Sequence, residues 1–129
     1  SEIEITVPNI ENFDRTSYHY SNLCWGVSLK GLISVMKKKN FTFLGTNNLK
    51  NNAFFINKDF EQLFKQVIPD GNLELEKYTD HKFQESRDKK GNITYLSRKE
   101  QLKEIEDCQV VNINKSLTEK VKLSELINN

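Results

Sequence analysis

The sequence predicts a mixed α/β fold, which in an isolated piece takes the form of a mixed α+β domain. Residues 18–59 read as a loop, a helix, a strand, a polar turn and a second strand, and they hold most of the side chains able to form a core. The length of 129 residues suits one domain. Because apolar residues make up only 36% and charged residues 29%, the core is predicted to be small and part of the surface to need a partner.

Charge and hydropathy argue against two classes of partner. The formal net charge is +1, from 19 basic and 18 acidic residues, which gives no electrostatic basis for binding nucleic acid or an anionic membrane. No apolar run approaches the roughly 20 residues of a membrane-spanning helix. The first residues are acidic and β-branched, unlike a signal peptide. We therefore expect a cytoplasmic protein.

The N-terminal residues 1–20 are predicted to form an arm or loop. Residues 2–7 alternate between polar and β-branched side chains, which is typical of a short half-buried strand, and Pro8 ends it. Residues 9–20 show no period and are predicted to be loop. The chain opens on a strand with no upstream element to pair with. On this ground residues 1–129, a single domain by their length, are expected to be a segment of a larger protein.

Residues 21–68 are predicted to form a helix–hairpin–helix core. Ser28 is a good cap for a first helix, whose apolar stripe contains Leu29, Leu32, Ile33 and Met36. Gly31 lies inside this helix at a cost of about 1 kcal/mol relative to alanine, which indicates close packing there. Three lysines, Lys37, Lys38 and Lys39, suit its carboxyl end.

The hairpin and the second helix complete this predicted core. Residues 41–44 and 53–56 are β-prone, and the turn between them is rich in glycine and asparagine, so the two strands are expected to pair antiparallel. Their continuous apolar runs predict burial on both faces. A second helix should begin at Asp59 with an inward stripe and stop before Pro69. The predicted inward residues are Phe60, Leu63, Phe64 and Val67.

Residues 69–129 are predicted to be a loop-rich tail. Residues 72–92 are charged and weakly patterned, so a surface loop with one short helical turn is expected. Ser97 and Glu100 form a capping-box pattern that predicts a short helix. Residues 109–113 and 120–123 are two short strand candidates and predict a small terminal hairpin.

Cofactor and metal motifs are missing from the sequence. It contains no Gly-rich dinucleotide motif, no phosphate loop, no nucleophile elbow and no zinc-protease motif. Cys24 and Cys108 lie far apart and are predicted to be buried, reduced thiols. His19 and His81 share no ligand spacing with them. The sequence therefore predicts neither a cofactor site nor a metal site in this chain, and it identifies no catalytic residue.

Three polar clusters are candidate substrate-binding sites. Tyr18 and His19 could bind a substrate, with His19 as a general base, or the tyrosine rings around His19 could simply anchor a loop. Asn47 and Asn52 flank the predicted turn and could face a ligand or only set the backbone geometry. Arg87 lies between two carboxylates in the sequence. It could clamp an anion, or it could only form part of a local salt-bridged turn.

The order of short sequence motifs in residues 18–59 resembles that of a known family. The pattern YxGASLxALxxLxxxKGYxxVGxNSxGxNAFFVRxDL occurs in bacterial proteins similar to FkbM-type S-adenosylmethionine-dependent methyltransferases, and FQESRDKKGNITYLS at residues 83–97 resembles a tail found in some of them. The matching residues are Gly26, Ser28, Leu29, Leu32, Lys39, Gly45, Asn47, Asn52, Ala53, Phe54, Phe55 and Asp59.

The resemblance implies a place in a larger molecule. It implies that this chain is the C-terminal part of a Rossmann-like methyltransferase sheet, contributing its closing helix, its last two strands and a substrate-side tail. The S-adenosylmethionine site would then belong to the rest of the parent chain, and sugars or other hydroxyl compounds would be the acceptors. The alternative is a non-catalytic binding or assembly module, in which a strand edge joins a partner or a second copy.

Overall fold

The computed structural model describes residues 3–67 and 85–127. These residues form a mixed α+β fold in which every strand pairing is antiparallel, as expected for the isolated piece; within these two ranges there is no parallel sheet. In chain order the elements are β1 (Ile5–Thr6), α1 (Arg15–Tyr18), α2 (Leu29–Lys38), β2 (Phe41–Thr46), β3 (Ala53–Asn57), a 3-10 turn (Lys58–Phe60), α3 (Glu61–Val67), β4 (Ser86–Arg87), β5 (Ile93–Thr94), α4 (Arg98–Glu104), β6 (Gln109–Asn112), β7 (Lys120–Lys122) and α5 (Leu123–Ile127).

The predicted N-terminal strand exists, and its partner is near the other end of the chain. β1 pairs antiparallel with β6, which in turn pairs with β7, so the three strands form one sheet. On its other side β1 bonds to the backbone just before α2, through Val7 N–H to the Gly26 carbonyl at 3.0 Å and Ser28 N–H to the Ile5 carbonyl at 2.8 Å. The arm therefore connects the two halves of the described fold.

Helix α2 begins and ends where the sequence predicts. The Ser28 hydroxyl accepts a hydrogen bond from the Gly31 N–H at 3.1 Å and donates one to the Ile3 carbonyl at 2.7 Å. Gly31 is buried within the helix, which confirms the predicted close packing. A Cβ built on Gly31 would lie only 2.7 Å from Cδ1 of Ile113, beyond the end of β6. Alanine or any larger residue would therefore press on the terminal sheet.

The β2–β3 hairpin is confirmed, but its predicted burial on both faces is wrong. Phe43 is buried and its ring packs against Phe55 with centroids 5.4 Å apart, on the face that carries the core. Phe54 points the other way and is 53% exposed. A bulge between Phe43 and Gly45 shifts the register. Among the described residues this sheet has only two strands, so a continuous apolar run does not bring burial on both sides.

The helix predicted to start at Asp59 is present, but its predicted inward stripe is wrong in part. A single 3-10 turn comes first, with the Asn57 side chain accepting from the Asp59 N–H at 3.0 Å, and α3 follows. Phe60 and Leu63 are 55% and 58% exposed. Phe64 is half-buried, and the Val67 side chain lies outside the described residues. Nothing described covers the outer side of this short helix, because its neighbour is only a two-stranded sheet.

Several short elements were not predicted. Residues 9–20 were expected to be loop, yet Asp14 caps the single-turn helix α1 by accepting from the Thr16 N–H at 2.9 Å. Residues 85–92 were expected to be surface loop, yet β4 and β5 form a hairpin around a tight turn. The remaining part of the predicted loop, residues 72–84, and the predicted stop at Pro69 lie outside the described residues.

The C-terminal helix and hairpin are confirmed. Glu100 accepts from the Ser97 N–H at 2.7 Å in the capping box that starts α4. β6 and β7 pair as predicted, and the unpredicted helix α5 follows β7 directly. The Leu123 N–H donates to the Cys108 carbonyl at 3.0 Å, which holds α5 against the strand pair. Within residues 3–67 and 85–127 no helix has the length and apolarity to cross a bilayer.

The core lies further toward the C-terminus than the sequence indicates. The buried apolar residues are Leu23, Cys24, Phe43, Cys108, Val110, Val111, Ile113 and Leu123. Five of them follow residue 100, although residues 18–59 were predicted to supply most of the core. The apolar stripe of α2 and the aromatic rings of the hairpin are mostly half-buried instead.

Candidate functional site

The structure separates the five predicted substrate-binding residues into two places. Tyr18 and His19 lie at the end of α1, beside the strand that carries Arg87, because the Arg87 N–H donates to the Ser21 carbonyl at 3.1 Å. Asn47 and Asn52 lie in the β2–β3 loop and bond to each other there. At the first of these places, residues 18–21 lie together with Lys89 and Glu104, and we call these six residues the tyrosine–histidine cluster.

Tyr18 connects the cluster to the terminal sheet. Its hydroxyl donates to the Gln109 carbonyl at 2.9 Å, across 91 positions of sequence. Its ring packs on Phe13 with centroids 5.2 Å apart. Burial raises the pKa of Tyr18, so the phenol keeps the proton that makes this bond. The arrangement matches the anchoring interpretation, since the one hydroxyl proton is already used by the backbone.

His19 is organised by Ser21. Its Nδ1 lies 2.7 Å from the Ser21 hydroxyl oxygen and accepts from the Ser21 backbone N–H at 3.3 Å. Because an N–H donates to Nδ1, the neutral ring carries its proton on Nε2. Burial lowers the pKa of His19, which favours this neutral form near pH 7. His19 can therefore offer a ligand one N–H donor.

Ser21 does not act as a nucleophile in this arrangement. It is fully buried, and its oxygen also accepts from the Leu23 N–H at 3.3 Å. A serine nucleophile must be reachable by its substrate, in addition to having a base within hydrogen-bonding distance. The histidine–serine contact is thus a structural bond that fixes the imidazole, and the sequence analysis did not identify it although the two residues are only two positions apart.

Tyr20 joins the cluster to α4. Its hydroxyl donates to the Glu104 carboxylate, and this hydrogen bond raises the pKa of Tyr20 to about 12. The His19 ring stacks on the Tyr20 ring with centroids 4.4 Å apart, and Lys89 Nζ lies 5.8 Å from the Tyr20 centroid. No sequence pattern indicates that Glu104 contacts Tyr20, because the two residues are 84 positions apart.

A shallow cleft of about 410 Å³ opens beside Tyr20. Its other lining residues are Leu96, Glu100, Lys103, Glu104 and Glu106. Two of the carboxylates already have hydrogen-bond partners, Glu104 with Tyr20 and Glu100 with Ser97. The lining is mixed in charge but mainly acidic, which suits a neutral or cationic polar ligand better than an anion.

Arg87 is engaged within its own hairpin. Its guanidinium donates to the Glu85 carboxylate at 2.7 Å and to the Gly91 carbonyl at 2.9 Å. Asp88 closes the same turn by accepting from the Asn92 N–H at 2.9 Å, and the side-chain hydrogen bond from Asn92 is the main cause that lowers the pKa of Asp88. The geometry matches the local salt-bridged turn, with part of the guanidinium fork still available.

Asn47 shapes the hairpin loop. Its side-chain oxygen accepts from the Asn51 N–H at 3.1 Å and the Asn52 N–H at 3.2 Å, and its amide donates to Asn51 Oδ1 at 2.6 Å. Lys50 adopts a left-handed backbone with φ of 59°. Both functional groups of the Asn47 side chain are used inside the loop, whereas Asn52 takes part through its backbone and its side chain is exposed.

Cys24 and Cys108 are both buried, free thiols, as the sequence analysis expected. Within the described ranges no three His, Cys, Asp or Glu side chains converge to hold a metal ion.

Comparison with known proteins adds no identification. No protein-family model, no curated protein and no solved structure matches the chain. The resemblance in residues 18–59 therefore stays a prediction drawn from the residues themselves. The described geometry by itself offers a tyrosine and carboxylates that line an open cleft and can bind a polar ligand, with the His19 ring packed against that tyrosine.

Proposed function

We propose that this chain is the C-terminal, substrate-side part of a protein similar to the FkbM-type S-adenosylmethionine-dependent methyltransferases. In this proposal α2 is the closing helix, and β2 and β3 are the last two strands of a larger Rossmann-like sheet. The remainder of the parent chain supplies the methyl-donor site. The chain alone then binds no S-adenosylmethionine and has no methyltransferase activity.

The main support is the exposed apolar surface on the outer side of the β2–β3 hairpin and α3. Phe54 is 53% exposed on β3, and Phe60 and Leu63 are similarly exposed on the next turn and helix. Large apolar side chains that stay exposed on neighbouring elements are typical of a surface that another structure covers when they form one contiguous patch. A larger sheet with its own helices would cover this surface.

The edges of the hairpin support the same proposal. Within the described residues β2 and β3 form ladder pairs only with each other, so the outer edge of β3 lies beside no other described strand. A two-stranded sheet is marginal in water, and an open edge is a template for a further strand. Placing β3 beside another strand of a parent sheet gives this outer edge a ladder partner.

The predicted substrate-side residues receive different roles in this proposal. His19 is the strongest candidate, because its half-buried ring is fixed by Ser21 and packs against Tyr20, which lines the acidic cleft. Asn52 has an exposed side chain and stays a candidate for contact with a hydroxyl-bearing acceptor. Tyr18 and Arg87 hold the backbone near the tyrosine–histidine cluster, and Asn47 holds the β2–β3 loop, as their hydrogen bonds to main-chain groups indicate.

Calorimetric titration with S-adenosylhomocysteine tests the proposal. The 129-residue chain is titrated alone, and the product of the complete reading frame is titrated in parallel. We expect one-to-one binding only in the second case. One-to-one binding by the chain alone, or a complete reading frame that adds no upstream domain, contradicts the proposal.

A variant separates the substrate side from the cofactor side. In the complete protein, His19→Ala should leave S-adenosylhomocysteine binding unchanged and lower methyl transfer to a panel of hydroxylated sugars. Glu119→Gln, a change of an exposed carboxylate that lies outside the lining of this cleft, is the matched control. Unchanged transfer in His19→Ala, with an active control, removes His19 from the substrate side.

The alternative function is a free-standing assembly module, and the same open strand edge favours it. In that case the exposed surface around Phe54 joins a second copy of the chain or a different protein. Light scattering coupled to size-exclusion chromatography distinguishes self-assembly. A dimer that dissociates in Phe54→Ser supports the module, whereas a monomer at high concentration counts against self-assembly.

A further inference from the structure

The outer edge of β5 is the strongest unassigned surface in the described fold. β5 pairs antiparallel with β4, with Arg87 directly opposite Ile93. On the other side of β4 the Arg87 N–H donates to the Ser21 carbonyl at 3.1 Å, so that edge of the hairpin already has a neighbour. Among the described residues no strand lies beyond β5. The hairpin therefore has one open edge, and β5 forms it.

The hydrogen-bonding phase of the hairpin turns the Ile93 backbone toward this open edge. In an antiparallel pair, residues opposite each other either exchange backbone hydrogen bonds or point their N–H and C=O groups away from each other. Arg87 is of the second kind, because its N–H leaves the hairpin for the Ser21 carbonyl. Its partner Ile93 is then of the second kind as well. Within residues 3–67 and 85–127 no hydrogen bond reaches the outward N–H and C=O of Ile93, which are the groups that pair with an added strand.

The side chains along this edge are apolar and exposed. Thr94 faces the fold, because its hydroxyl lies 2.8 Å from the hydroxyl of the buried Ser86. Side chains alternate along a strand, so Ile93 faces the other way, and it is 51% exposed. Tyr95 follows the strand directly and is 83% exposed. These two side chains offer apolar contacts beside the free backbone groups of Ile93.

Charge changes along the same stretch of chain. The turn before β5 carries two exposed lysines, Lys89 and Lys90. After Tyr95, Leu96 lines the cleft of about 410 Å³. The charged residues in the lining of that cleft are Glu100, Lys103, Glu104 and Glu106. A segment lying along β5 therefore meets positive charge at one end and mainly negative charge at the other, so charge complementarity favours basic side chains at its cleft end.

We propose that the outer edge of β5 binds an extended segment of a partner protein, which has an apolar middle and basic side chains at its cleft end. The N–H and C=O of Ile93 form a ladder pair with the backbone of the segment. The Ile93 and Tyr95 side chains contact its apolar residues, and the carboxylates of the cleft lining contact its basic end.

Glu106 is the carboxylate most available to that basic end. The other two carboxylates of the lining already accept hydrogen bonds, Glu104 from Tyr20 and Glu100 from Ser97. Binding of the segment requires only the 129-residue chain, so it does not depend on the proposed methyltransferase role. In the parent enzyme of that role, the segment and a hydroxylated acceptor would compete for the cleft lining around Tyr20.

Fluorescence anisotropy with labelled octapeptides tests the proposal on the unmodified chain. The probe alternates valine and threonine and ends in lysines. One control peptide has glutamate in place of each lysine, and a second is N-methylated at its central amides, which removes the backbone donors. We expect saturable binding of the probe and at least about tenfold weaker binding of both controls. No saturable binding of the probe, or equal binding of all three peptides, overturns the proposal.

Matched variants of the chain locate the bound peptide. Tyr95→Ser should weaken binding of the probe about fivefold, because a large exposed contact is lost. Leu117→Ser is its control, since Leu117 is 72% exposed in the connection between β6 and β7. Glu106→Gln should weaken binding about threefold, whereas Glu119→Gln, outside this cleft lining, should leave it unchanged. If each variant and its control have the same effect, the peptide does not lie on β5 and the proposal is wrong.

Discussion

Gly31 is the residue at which α2 touches the terminal sheet most closely. An alanine Cβ there would lie 2.7 Å from Ile113 Cδ1 and 3.0 Å from the Ser28 hydroxyl. We predict that Gly31→Ala lowers the free energy of unfolding by about 1–2 kcal/mol, because overpacking outweighs the gain of about 1 kcal/mol in helix propensity. Urea denaturation measures the change.

Ile113 provides the matched control for that prediction. Ile113→Val removes the Cδ1 atom that the new Cβ would meet, at a cost of about 1 kcal/mol by itself. In this background Gly31→Ala should become neutral or stabilising, so the two changes should couple by about 1–2 kcal/mol in a double-mutant cycle. Strict additivity would show that the Cβ finds room without moving Ile113.

His19 should make stability depend on pH. Its pKa in the folded protein lies below the ordinary 6.5, chiefly because of burial, with Glu104 opposing the shift and Lys89 adding to it. The unfolded chain therefore binds the proton more readily. The contribution of His19 to stability is complete above the unfolded pKa and is lost as the pH falls through 6.5 toward the folded pKa.

His19→Asn removes this titration while keeping an acceptor for Ser21. Urea midpoints measured at about pH 8 and about pH 5 should differ more in the parent protein than in His19→Asn. The other titrating groups are common to both proteins, so the difference between them isolates His19. Parallel pH profiles for the two proteins would show that His19 is not held neutral by the fold.

The sequence analysis could name the residues of the site but not their contacts. His19 and Ser21 are neighbours, so their bond is local and could have been anticipated. Glu104 reaches the cluster from the other end of the chain, and no rule of spacing connects it to Tyr20. Side-chain partners that depend on tertiary packing were therefore out of reach.

At the scale of elements, the β2–β3 loop offers a test of local structure. Asn47→Ala removes two acceptor contacts and one donor contact inside the loop. We predict a loss of about 1–2 kcal/mol of unfolding free energy, since each partly exposed hydrogen bond contributes about 0.5–1 kcal/mol. Chemical denaturation measures the loss, and hydrogen exchange of the β2 and β3 amides should quicken as well.

Asn52→Ala is the control, because Asn52 joins the loop through its backbone. This substitution should change stability by less than about 0.5 kcal/mol. A larger loss in Asn52→Ala than in Asn47→Ala would mean that the loop is organised differently from its observed hydrogen bonds.

Elements with a strong local signal were predicted correctly, and elements without one were missed. The cap at Ser28, the Gly/Asn turn of the hairpin and the capping box at Ser97 act within a few residues, so the sequence shows them directly. Helix α1 is one turn long, and β4 and β5 have two residues each. Such short elements depend on the contacts around them, and propensity carries little information about them.

At the scale of the whole molecule, the core was predicted in the wrong half. The aromatic residues of 18–59 are numerous but largely half-exposed, whereas the smaller valines and isoleucine of the terminal sheet are buried. Hydrophobicity shows which side chains can be buried, and only the topology shows which of them meet. The pairing of β1 with β6 makes the terminal sheet the centre, and it joins residues more than 100 positions apart.

Phe54 tests whether the exposed face of the hairpin is covered in a larger molecule. In the 129-residue chain Phe54→Ser should change the free energy of unfolding by less than about 1 kcal/mol, because the ring is half in water. In the complete protein of the proposed function the same change should cost about 3 kcal/mol or more, since the ring would then be in a core.

The buried Phe43 is the control for both measurements. Phe43→Ala should lower the free energy of unfolding by about 3–5 kcal/mol in either context, because the Phe43 residue is only 5% exposed even in the 129-residue chain. The informative quantity is therefore the change that Phe54→Ser undergoes between the two contexts, measured by urea denaturation of each protein. If Phe54→Ser costs the same small amount in both, the outer face of the hairpin stays open to water. In that outcome no larger sheet covers the outer face of the hairpin, and this part of the proposed function is wrong.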